Sequence, residues 1–229
     1  MGGQELRLAR KQRGWTQTEV ADRLGISQPY LALLENGKRA LTPELAREAV
    51  KVLKVRPTVL PLHEKLPLKF DPQHLAQQLA SLGYPGFAYL PATQKRNPAA
   101  VLLTALSQDD LECRLTEALP WLLLSYPDMN REWLVEQARV RNLSNRLGFV
   151  VTLAKEASAR MGDNTSVRYQ ALEQLEAQLR ESRLDKEDTL CQSSLSQRER
   201  EWLRETRPAE AEYWHLLTDW RPEHLQYAR

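Results

Sequence analysis

Apolar residues recur at helical intervals along most of this chain, and turn-forming residues cut them into short runs. The spacing predicts a first helix over about residues 4–13, stopped by Gly14. Thr16 and Glu19 form a capping box, in which hydroxyl and carboxylate each satisfy an orphan backbone donor, so a second helix opens there and ends at Gly25. Ser27 caps a third helix, with Pro29 tolerated in its first turn, and Asn36-Gly37 stops it. Thr42-Pro43 opens a fourth, running to about Leu53. Pro57, Pro61, Pro67 and Pro72 then crowd a short stretch, so residues 61–71 read as a stiff linker after a short fifth helix near 56–60.

Beyond the prolines the pattern is again helical. Asp71-Pro72 opens a helix ending at Gly83, and Tyr84 to Pro91 reads as a loop. Asn97-Pro98 starts a helix through Leu106. Ser107-x-x-Asp110 predicts another, carrying Leu111, Leu115 and Leu119, with Pro120 and Pro127 punctuating an apolar patch from Trp121 to Tyr126. Helices follow over 131–141 and 144–160, a break at 161–165, and a polar helix from Ser166 to about Arg183. Ser196-x-x-Glu199 is a second capping box, and Pro208 opens a last helix expected to hold Tyr213, Trp214, Leu217 and Trp220.

Composition sharpens this picture. Of 229 residues, 40 are Leu and 23 Ala, against 11 Val and one Ile, so the chain is expected to be all-α. The formal charge of +2 is uneven: residues 1–56 carry +5 and the remainder −3, a basic head on a mildly acidic body. Two cysteines far apart, Cys113 and Cys191, imply neither a disulfide framework nor a zinc site. With no apolar run near Met1 and none long enough for a bilayer, the expected location is the cytoplasm, away from any membrane.

In the head, two short helices flank Gly25, with small Ala21 where the third helix must cross and Val20, Leu24, Ile26, Leu31 and Leu34 filling the wedge. With Thr16-Gln17 opening the second helix and Glu35-Asn36-Gly37-Lys38 closing the third, residues 6–55 resemble a lambda-repressor-like helix-turn-helix domain of the Cro/XRE type. The resemblance implies a five-helix DNA-binding domain over residues 1–60, with Arg10 and Glu35 paired inside the scaffold. It also implies phosphate contacts from Gln17, Asn36, Lys38 and Arg39. Base reading is expected from the start of the third helix, which would enter the major groove: Ser27, Gln28, Pro29, Tyr30 and Leu33. Gln28 is the strongest reader, since a side-chain amide bonds adenine bidentately. Pro29 and Leu33 replace the polar readers of many relatives and suit thymine methyls instead. Tyr30 either reaches a phosphate or packs against the first turn.

The body, residues 72–229, offers no catalytic set. His63-Glu64 lacks a second His four positions on, which excludes the zinc-peptidase helix. Asp109, Asp110, Asp128 and Glu132 each have a helix N-terminus to sit on, where the dipole favours them without any metal. No enzyme, cofactor or metal is therefore expected. The aromatic residues Trp202, Tyr213, Trp214, Trp220 and Tyr227 suit a core or an interface.

Together these features lead to a sequence-specific transcriptional regulator, most simply a repressor, binding double-stranded DNA as a homodimer because one small module buries limited DNA surface. The alternative is an antitoxin-like protein that autoregulates its promoter and neutralises a partner toxin through its helical body. Leu119 to Leu124 with Asn145 to Phe149 faintly resemble antitoxin-associated regulators.

Overall fold

A computed structural model describes residues 2–62, 71–91 and 93–227. The fold is all-α, and the chain divides into two compact units, Met1–Glu64 with Gln94–Asn97, and Lys65–Thr93 with Pro98–Arg229. The expected linker falls largely on residues 63–70, outside the described residues, as does the His63-Glu64 pair. Among the described residues no helix is long and apolar enough to cross a membrane.

The first unit is built from α1 (Gly3–Gln12), α2 (Gln17–Leu24), α3 (Gln28–Glu35) and α4 (Pro43–Val52). The caps are those the sequence implies: Thr16 with Glu19 before α2, Ser27 before α3 and Thr42 before α4, each hydroxyl accepting a backbone N–H and contributing about 1 kcal/mol. Gly25 takes a left-handed φ of 65° between α2 and α3, the conformation that lets the chain reverse without a Cβ clash. Leu6 and Ala9 from α1, Val20, Ala21 and Leu24 from α2, and Leu31 and Leu34 from α3 close one core with Ala49 and Leu53. Ile26 is only half-buried and packs on its edge. The fifth helix shrinks to a single 3-10 turn, Pro57–Val59. The side chain of Asn97 secures that end by donating to the carbonyls of Thr58 and Leu60, both at 2.8 Å. α1 starts against the end of α3 with no room to spare: a Cβ on Gly3 would lie 1.9 Å from the Leu34 carbonyl oxygen.

The second unit contains α5 (Pro72–Leu82), α6 (Pro98–Leu106), α7 (Cys113–Ser125), α8 (Arg131–Val140), α9 (Ser144–Arg160), α10 (Val167–Arg180), α11 (Gln197–Thr206) and α12 (Ala209–Tyr213). α9 is its axis, buried without interruption from Ser144 to Ala154 and packed by α6, α7, α8, α10 and α12. A helix buried all round must be apolar or fully hydrogen-bonded, and α9 combines both. Asn145 exchanges two 2.8 Å bonds with the backbone of Leu184. Arg146 forks onto Asp188 at 2.6 and 2.9 Å and caps the carbonyls of Leu106 and Gln108. At Gly148 the Trp214 ring lies where a side chain would be, 2.4 Å from a built Cβ, and its indole N–H bonds Thr152 at 2.9 Å. The residues behind the antitoxin resemblance thus brace the interior.

Four expectations change here. Ser107 and Asp110 cap nothing: α7 begins at Cys113, Leu111 lies before it, and Asp110 instead accepts from the backbone and hydroxyl of Ser194. The apolar patch expected to be punctuated by Pro120 and Pro127 continues α7 as far as Ser125, with Pro120 inside the helix. The loop from Tyr84 contains a 3-10 turn at Pro85–Phe87. The last helix stops at Tyr213, and His215 (φ 53°) turns the chain into β2 (Leu216–Leu217), which pairs in parallel with β1 (Asp188–Thr189). Trp214 is buried there, whereas Trp202 on α11 is exposed. Cys191 is buried under Arg146, and burial pushes its thiol up to about 12, so it behaves as an inert core residue.

Candidate nucleic-acid interface

α3 presents two faces. Leu31, Leu34 and Glu35 point into the unit, while Gln28, Pro29 and Leu33 point out. Leu33 is 38% exposed despite its apolar side chain. Ser27 caps the helix by accepting from the Tyr30 N–H at 3.3 Å, and its residue is exposed. Tyr30 is half-buried against the core cluster, with part of its surface left open. Beyond the helix, Leu33 accepts from the backbones of Lys38 and Arg39, so the tight loop carrying Asn36, Lys38 and Arg39 folds back on the last turn with all three residues exposed.

Behind this outer face runs a polar chain. Glu35, 2% exposed, receives the Arg10 guanidinium as a fork at 2.6 and 2.9 Å. The third arm of Arg10 donates to the Trp15 carbonyl at 2.9 Å, which ties α1 to the turn before α2. Glu35 also accepts from Gln17 Nε2 at 2.9 Å, and Gln17 Oε1 in turn accepts from Gln28 Nε2 at 2.7 Å. The ion pair therefore fixes which way the Gln17 amide points, and that amide holds Gln28. Gln28 keeps its own Oε1 and its second N–H for an outside partner, the donor–acceptor pair that matches an adenine edge. Burial pushes the Glu35 carboxyl up, but the hydrogen bonds from Arg10 and Gln17 and the Arg10 charge outweigh it, leaving the group below its usual 4.5. A buried pair of this kind serves geometry more than net stability, because desolvation cancels much of the attraction.

The structure thus joins two residues that the sequence left separate, Gln17 as a phosphate contact and Gln28 as a reader. The two lie on different helices with a turn between them, so only the crossing of α2 and α3 brings the two amides together. The sequence also does not disclose the role of Trp15, whose ring carries the Arg23 guanidinium at 4.0 Å and Arg13 at 5.9 Å, linking the end of α1 to the last turn of α2.

The Helix-turn-helix family model matches residues 6–60, about a quarter of the chain, covering α1 from Leu6 onward, the whole of α2, α3 and α4, the polar chain and the exposed face of α3. Residues 6–60 form a helix-turn-helix domain. No curated protein and no solved structure matches the chain. The helix-turn-helix domain is a DNA-binding fold of the kind carried by transcriptional regulators, and double-stranded DNA is its partner. In that fold the second helix of the pair, here α3, is the one that enters the major groove.

Proposed function

We propose that this protein is a dimeric transcriptional repressor that reads a two-fold operator with the outer face of α3. The observation that carries this reading is Gln28, exposed at the start of α3 with its amide pre-set by Gln17, Glu35 and Arg10. Gln28 reads an adenine. Ser27 supplies a hydroxyl to an adjoining base, and Pro29 and Leu33 meet thymine methyls. Tyr30 spans from the core toward the backbone. Gln17, Asn36, Lys38 and Arg39 position the domain on phosphates without reading sequence.

The dimer follows from energetics. One module of this size covers about 600–1,000 Å² of protein surface on DNA, and half-sites one helical turn apart double it. A dimer seated across a promoter blocks transcription by occupancy alone and needs no activating surface, which favours repression.

The test is selection from a random duplex library by the full chain at physiological salt. An enriched inverted repeat supports the reading. Binding without an enriched sequence, fading as salt rises, is phosphate attraction alone and overturns it.

A further inference from the structure

We propose that the groove between α8 and α10 is a docking site for a basic amphipathic helix of a partner protein. Its cavity, about 430 Å³, runs along the outer face of α8 and the end of α10. Its apolar surface is two valines: Val135, half-buried at the bottom, and Val140, 72% exposed on the last turn of α8. Its rim is acidic. Glu132, Glu136 and Glu181 stand around the two valines with Arg139 as the one cation among the lining residues.

Two placements run against the stability of the isolated chain, whereas Glu132 sits in the first turn of α8, where the dipole favours it. Glu181 is the C-cap of α10, the end of the dipole where a carboxylate is disfavoured. Val140 adds a β-branched apolar side chain to a solvated turn. A partner carrying Lys or Arg on both sides of an apolar stripe offsets both at once, covering Val135 and Val140 while matching the rim. Glu132, Val135, Glu136, Arg139 and Val140 fall at i, i+3, i+4, i+7 and i+8 and so lie along one face of α8, which lets a partner helix run parallel to it.

Charge also decides what does not fit. DNA and anionic lipid are repelled by the rim, and a two-fold copy of the same groove would set its carboxylates against one another. The proposal is independent of the operator reading, and its failure leaves DNA binding untouched.

The test uses the full chain and two labelled 14-residue peptides of one composition. In the first, Leu falls at i, i+3, i+4 and i+7 with Lys at the flanks; in the second, the same residues are shuffled so that no apolar face forms. Binding is followed by fluorescence anisotropy at physiological salt. The ordered peptide is expected to bind about tenfold tighter than the shuffled one, and E136K/E181K and V140D each to weaken it about tenfold. The control E201K/E205K, an equal charge change on exposed positions of α11, is expected to change affinity by less than about twofold. Circular dichroism confirms that each variant is folded, and the conservative V140S serves if V140D is not. Equal binding of both peptides, equal loss in the control, or no saturable binding overturns the proposal. So does self-association of the chain that E136K/E181K abolishes, which would give the groove to a second copy.

Discussion

Gln28 donates from its Nε2 to Oε1 of Gln17 at 2.7 Å, across the turn that separates α2 from α3. A residue on the scaffold helix thereby sets the rotamer of a residue on the recognition helix. Gln28→Ala is expected to lower operator affinity by about 1–3 kcal/mol and to reduce discrimination against random DNA. Gln17→Ala is expected to lower it as well, and the double variant to fall short of the summed losses by roughly 0.5 kcal/mol or more, because one bond is removed in each case. Additive losses in a double-mutant cycle would show that the two amides act separately. Lys38→Ala is expected to weaken all sequences alike and to reduce the salt slope by about 1.

Behind that pair, Glu35 links folding to pH. Its folded value lies below its usual 4.5, so its contribution to stability is fully present above pH 4.5 and is lost as pH falls through the lower, folded value. Glu35→Gln leaves the Arg10 guanidinium 11% exposed with no counter-charge. That change is expected to cost about 3 kcal/mol at neutral pH and to flatten the acid dependence. Amide protection at Leu31 and Leu34, corrected for intrinsic exchange and followed from pH 7 downward, reads both effects.

The helices were legible wherever their signals are local. Thr16 with Glu19, Ser27, Thr42, Ser166 and Ser196 with Glu199 each close a cap within three residues, so sequence spacing is enough to find them. Asp110 failed as a cap because its partners are Ser193 and Ser194, more than eighty positions away. The Trp214 segment failed for the same reason: β1, not its own helix, takes the backbone that follows. In the candidate interface the outward set on α3 came from the resemblance to helix-turn-helix domains, while the bond orienting Gln28 depends on a helix crossing that no local pattern encodes.

A carboxyl in the second unit behaves in the opposite sense to Glu35. Glu156 on α9 and Glu210 on α12 line the same two clefts, with Lys155, Arg160, Glu176, Arg180, Arg221 and Glu223 as the other charged groups around them. Burial, then the Glu210 charge, raise the Glu156 carboxyl above its usual 4.5 despite Arg160 and Lys155. A raised acid binds its proton more tightly when folded, so this site favours the native state at low pH and the benefit disappears as pH rises through the folded value. Glu156→Gln is expected to raise the melting midpoint by about 1–3 °C at pH 8 and by less at pH 4. Equal shifts at both values would assign the gain to packing.

Gly148 tests the interior of the same unit. Gly148→Ala places a methyl 2.4 Å from the Trp214 ring and forces it off Thr152. The expected cost is about 3 kcal/mol, visible as a red shift of tryptophan emission and a lower denaturant midpoint. Gly162→Ala, at φ 77° with open space around the built Cβ, should cost only its backbone strain, about 1 kcal/mol.

The bonds that Arg146 makes to Leu106, Gln108 and Asp188 span about forty positions in both directions along the chain. The full set forms only once α6, α9 and β1 have all been synthesised and have met, and closing such loops is slow. The core of the helix-turn-helix domain comes from residues 6–53 alone, and the ion pair that braces it, Arg10 to Glu35, spans 25 positions. On a ribosome the DNA-binding head therefore completes its core while the body still lacks the helix that holds it together, which makes the body the segment that needs time or a chaperone.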